Sequence, residues 1–129
     1  MKKILIRMLL VAAAVGVIVG CKTSPVYNVD NASVVVNKNI TLDQMKTAII
    51  RAGAKRGWAM KAVAPGHVVG TLHQRQHMAQ IDIKYNTQNY SITYKDSSGL
   101  NYDGTNIHNF YNKWIQTLRR DIDVQLSML

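Results

Sequence analysis

The sequence predicts an α+β fold: an antiparallel four-stranded sheet with two helices packed on one face, in the order β-α-β-β-β-α. Three observations carry this expectation. Leu42, Met45, Ile49 and Ala52 recur at helical spacing, and so do Ile107, Tyr111, Trp114, Ile115, Leu118, Ile122 and Leu126. Between these stripes, Ala79, Ile81, Ile83 and Tyr85 alternate strictly with polar residues, and Tyr90, Ile92 and Tyr94 do the same. Each helix then has one apolar stripe to bury, and the alternating strands supply one apolar face to bury it on.

In chain order, Met1 to Gly20 comes first. Lys2, Lys3 and Arg7 head an uncharged, mostly apolar run from Met8 to Gly20. A membrane span needs roughly 20 apolar residues, so this shorter run reads as the core of a signal peptide. It ends Ile18-Val19-Gly20-Cys21, which resembles the lipobox of bacterial lipoproteins. That resemblance implies cleavage before Cys21, a lipid thioether on Cys21 and acylation of the new amino terminus. Lys22, where the pattern would carry Asp for inner-membrane retention, implies the outer membrane. Residues 21–31, with Lys22 to Asn31 polar and aperiodic, read as a tether from lipid to domain. Residues 32–129 read as the single domain.

Val34-Val35-Val36 suggests the first strand. Thr41 and Gln44 form a capping box for a helix from Leu42 to Arg56, with Asp43 near its positive end, Lys55 and Arg56 near its negative end, and Gly57 as the stop. Trp58 to Val63 alternates as a second strand. Pro65-Gly66 favours a type II turn. From His67 to Tyr85 no strong breaker follows Gly70, which predicts one long strand with a bend or bulge. Asn86 to Asn89 is a turn, and Tyr90 to Tyr94 the last strand. Lys95 to Asn106 reads as loop, and Asn106 as the cap of a helix running to about Leu126.

Composition narrows the function classes. The chain has 129 residues, 47% hydrophobic, enough for one small domain and too apolar for a disordered one. One cysteine excludes an intramolecular disulfide framework and a multi-cysteine zinc site. The net charge of +9 points at first toward nucleic acid. Removal of Lys2, Lys3 and Arg7 with the signal leaves +6, and all seven acids are Asp. An envelope protein meets lipid headgroups, not a genome, so no nucleic-acid partner is expected.

No cofactor is expected, and no metal. On a regular strand His73, Arg75 and His77 would share a side, but ligands four residues apart lie about 13 Å apart by strand rise, too far to share one ion. There is no G-x-S-x-G, and Asp121 and Asp123, the only two acids close in sequence, do not face each other on a helix. Lys46, Arg51, Lys55 and Arg56 on the first helix, with Arg119 and Arg120 on the second, form either a solvated face or an attraction for anionic lipopolysaccharide or headgroups. Trp58, Trp114, Tyr111 and Tyr90 fall on core stripes and read as packing.

Several groups of residues together carry a wider likeness: Gly57-Trp58, Pro65-Gly66, Gly70-Thr71-Leu72 with Arg75 and His77, Asp82-Ile83 with Tyr85, Tyr90-Ser91-Ile92, Tyr94-Lys95-Asp96-Ser97, Leu100 with Tyr102, Ile107-His108, Tyr111-Asn112 and Trp114-Ile115. Over roughly residues 57 to 118 the chain resembles a family of small uncharacterised lipoproteins of Gram-negative bacteria. The resemblance implies a location and no chemistry. Its polar members, Arg75, His77, Asp82, Ser97, His108 and Asn112, are the candidate site, and a buried polar network between helix and sheet explains them equally well.

The expected protein is therefore a non-catalytic binding or accessory module, lipid-anchored to the outer membrane through Cys21 and facing the periplasm. Its expected partners are that membrane and an envelope protein or anionic lipid. The alternative is a small enzyme or ligand binder that uses Arg75, His77 and His108 in a cleft.

Overall fold

A computed structural model describes residues 22–36 and 38–129. The signal peptide and Cys21 expected from the sequence lie outside the described residues. The elements are β1 (Thr23–Pro25), β2 (Val29–Ser33), α1 (Leu42–Lys55), β3 (Ala59–Ala64), β4 (His67–Gln74), β5 (His77–Tyr85), β6 (Asn89–Ser98), β7 (Asn106–His108) and α2 (Asn109–Ser127). The fold is α+β as expected, but its strands form a five-stranded sheet, in the order β2-β6-β5-β4-β3, and a separate two-stranded sheet of β1 and β7. The four-stranded sheet expected from the sequence is corrected on both counts.

One additional strand comes from dividing the long segment. Gln74 pairs with His77, so Arg75-Gln76 is a two-residue hairpin loop and β4 folds back on β5. Arg75 sits there at φ 56°, a left-handed conformation uncommon outside glycine. The sequence hid this turn because neither loop residue is a usual turn former. His73, Arg75 and His77 thus flank a reversal and do not share one side of a strand.

Other strands come from the segment expected to be a tether. Residues 22–31 contain β1 and the start of β2. Val29 lies opposite Ile92 and Ala32 opposite Tyr90, both in the core, with an irregularity between them where Asn31 takes φ 50°. The triplet Val34-Val36 lies just past this strand, and Val35 is 84% exposed. Register set by β6, not β-propensity, selects which residues pair at the sheet edge.

The helices form for the reasons the sequence suggests. The Thr41 side chain accepts from the Gln44 amide at 3.0 Å, and the Gln44 side chain accepts from the Thr41 amide at 2.9 Å. His108, not Asn106, caps α2: its Nδ1 accepts from the Phe110 amide at 3.1 Å. Met45, Ile49 and Ala52 of α1 and Tyr111, Ile115, Leu118 and Ile122 of α2 form one core with Val68, Ile81, Ile83, Tyr90 and Ile92 of the sheet. Gly53 lies close under Met60 of β3: a Cβ there would meet the Met60 sulfur at 2.5 Å, so a side chain at this position would displace the flexible end of Met60.

One ion pair joins the helices. Arg56, just past α1, donates to Asp121 of α2 from Nε at 2.6 Å and from Nη2 at 3.4 Å. Asp121 is 8% exposed, and the guanidinium beside it holds its carboxyl below the usual value. A lowered folded-state value stabilises the fold above the ordinary carboxylate range near 4. That stability is lost as pH falls through the lowered value. Asp121→Asn is therefore expected to lower the melting temperature at neutral pH and to flatten the acid limb of a stability-versus-pH curve. Thermal unfolding followed across that range checks it, and an unchanged acid limb would contradict it.

Candidate functional site

The β4–β5 hairpin loop and the start of α2 bring three of the expected site residues to one end of the domain. His77 opens β5, and its Nδ1 donates to the Gly99 carbonyl at 2.8 Å. That bond leaves Nε2 as the free nitrogen of the ring. His108 closes β7, with its Nδ1 committed to the cap of α2. The two imidazole centroids are 6.3 Å apart, which is proximity without a shared proton.

Aromatic side chains complete this end. The Phe110 ring lies 4.3 Å from the His108 ring and 5.8 Å from the His77 ring, edge-on to the latter. Trp114, one helical turn on, stacks with Phe110 at 6.4 Å and lies 6.5 Å from His77. Phe110 is 46% exposed and Trp114 half-buried. Gln74, Arg75, His77, Phe110 and Trp114 line a cleft of about 340 Å³. On the other side of Trp114, a second cleft of about 390 Å³ includes Arg56, His73 and Thr117. A groove of about 480 Å³ elsewhere, beside β3, is lined by Leu42, Val63, Pro65 and Tyr85 and gathers none of the expected site residues.

The remaining expected residues do other work. Asp82 stands on the opposite face of the sheet, with His67 Nε2 at 2.7 Å and Lys95 Nζ at 3.8 Å. Asn112 is structural. Its side-chain nitrogen donates to the Pro25 carbonyl at 3.0 Å, and its oxygen accepts from the Tyr27 amide at 2.9 Å. Ser97 and Tyr94 share a hydroxyl hydrogen bond of 2.7 Å. The six candidates are therefore not one site: Arg75 and His77 line one cleft, and the His108 ring lies 6.3 Å from that of His77.

Sequence reasoning missed Phe110; Trp114 packs against the core as expected but is only partly covered. Phe110 lies off the apolar stripe of α2, and an off-stripe aromatic in the first turn was the available signal. Trp114 is on the stripe but at its margin, where the sheet does not cover it. Among the described residues, no three His, Cys or Asp side chains come together as a metal site, and no helix is long and apolar enough to cross a membrane.

Comparison with known proteins returns no match: no family model, no curated protein and no solved structure is similar to the chain.

Gly99 fixes His77. It takes φ +74°, and a Cβ on it would meet the Gln76 carbonyl at 2.5 Å. Gly99→Ala is expected to cost about 1–3 kcal/mol, the scale of a side chain forced into a rare backbone region. It should also shift the His77 imidazole resonances. Chemical unfolding and NMR of the variant check this; wild-type stability with unmoved His77 signals would contradict it.

Proposed function

We propose that the chain is a lipoprotein of the Gram-negative outer membrane, anchored through Cys21 and facing the periplasm, whose domain is a non-catalytic binding module. Support comes first from residues 1–21: a basic head, a short apolar core and a lipobox-like end at the one cysteine. One acyl chain holds a protein to a membrane only marginally, whereas several hold it stably. A lipid thioether with an acylated amino terminus meets that need.

The single observation that supports a binding role is the position of Lys22. Its carbonyl accepts from the Asn109 amide at 3.1 Å, so the residue after Cys21 lies at the start of α2, beside Phe110 and His108. The anchor and the aromatic–basic cluster then occupy the same end of the domain. The cleft in that cluster presents a guanidinium, an imidazole and two aromatic faces, with no carboxylate in its lining. Such a set recognises anionic or amphipathic groups. It lacks the acid–base pair that a hydrolytic site would place within hydrogen-bond reach.

Mass spectrometry of the protein taken from membranes tests the anchor. The expected amino terminus is Cys21 carrying lipid, and Cys21→Ala is expected to move the protein to the soluble fraction. A retained Met1 or an unmodified Cys21 would overturn the reading. The binding role is tested by a photo-crosslinking residue at position 110 in intact cells. It is expected to label a specific molecule in the anchored protein and not in the Cys21→Ala form; equal labelling, or none, would overturn it.

A further inference from the structure

We infer that Phe110, Trp114 and Arg75, with the His77–His108 pair, form a membrane-docking face that seats the domain on anionic phospholipid beside its own anchor. The inference rests on the anchoring proposed above and goes on to name what the aromatic–basic end binds.

Covalent geometry supplies the first step. Across a trans peptide, consecutive Cα atoms are about 3.8 Å apart. Cys21 is therefore one such step from Lys22, and Lys22 is held to Asn109 by the hydrogen bond to its carbonyl. The next residues are held as well. Thr23 pairs with His108 and Ser24 with Ile107, and Ser24 Oγ donates to Asn109 Oδ1 at 2.6 Å. No slack chain separates a lipid on Cys21 from the domain. The end of the molecule that carries β1, β7 and the start of α2 must then lie at the bilayer surface.

The second step is what stands at that end. Phe110 is 46% exposed although it is large and apolar, and Trp114 is half-buried one turn away. Trp concentrates at the boundary between headgroups and acyl chains, and Phe supplies apolar surface that inserts there. Arg75 projects from the hairpin loop beside them, held in a left-handed backbone conformation. Guanidinium suits phosphate because its planar donors bind two oxygens together. Lys22, adjacent to Asn109, and Lys113, adjacent to Trp114, are exposed and add positive charge. The occupant that matches aromatic rings, cations and an adjoining lipid anchor is an anionic phospholipid surface. The anchor keeps this surface at high effective concentration, so the face can be weak by itself and still remain seated.

The test uses the lipidated protein purified from membranes, with its amino terminus verified by mass spectrometry. It is reconstituted in phosphatidylethanolamine vesicles with and without phosphatidylglycerol, using lipids brominated near the top of the acyl chain as quenchers. Trp58 is only 4% exposed, so quenching reports on Trp114. Wild-type emission is expected to be quenched, more strongly with phosphatidylglycerol, and the quenching is expected to vanish in Trp114→Phe. Phe110→Ala is expected to reduce it. Arg75→Gln is expected to reduce the seated-to-unseated ratio about fivefold, the factor for one basic residue at an anionic surface. Circular dichroism verifies that each variant is folded. If the lipid is intact and wild-type emission is unquenched, or equally quenched without phosphatidylglycerol, the docking face is overturned and the anchor stands. An unmodified Cys21 overturns the anchor, and the docking inference with it.

Discussion

The Asn112 side chain grips the Pro25 carbonyl and the Tyr27 amide, and the rest of the molecule's functional geometry depends on that grip. A single primary amide here completes both polar groups of a passing backbone segment, as a neighbouring strand would. It acts with the Asn109 amide on the Lys22 carbonyl, the Val26 amide on the Thr105 carbonyl, and Arg119 Nη1 on the Tyr27 hydroxyl at 2.9 Å. Together these bonds lay residues 22–27 along α2 as a strap. They convert a polar segment that could have been a flexible spacer into part of the folded body.

Two consequences follow from the strap. It pairs β1 with β7, and β7 delivers His108 to the start of α2, where its ring both caps the helix and meets His77. It also fixes the point at which an anchored chain would leave the membrane. The same few hydrogen bonds bring Lys22 and the aromatic–basic cluster to one end of the domain. The Arg56–Asp121 pair holds α1 to α2 elsewhere and is independent of this end.

Much of the fold is legible in the sequence because it depends on local patterns. The capping box at Thr41 and Gln44, the two helical stripes and the alternation from Ala79 to Tyr85 each report a structure that their own residues determine. The strap is not legible, because β1 is three residues long and its bonds go to Asn109 and Asn112, more than eighty positions away. The hairpin at Arg75-Gln76 is hidden for a different reason: the loop uses an arginine in a conformation that glycine or asparagine usually marks. The candidate site was legible in part. Arg75 and His77 share a cleft and His108 lies near His77, while Asp82 is on the other face of the sheet, as its place beside outward-facing Gln80 and Lys84 in the alternation implies. Phe110 is not legible in this way because it lies off the apolar stripe by which α2 marks its buried face.

Amide hydrogen exchange across residues 22–27 distinguishes a folded strap from a spacer. If the strap is part of the fold, the amides of Val26 and Tyr27 will exchange on the timescale of the buried α2 residues Ile115 and Leu118. Exchange at the rate of an unstructured peptide, while Ile115 and Leu118 stay protected, would make residues 22–27 a tether and contradict the strap.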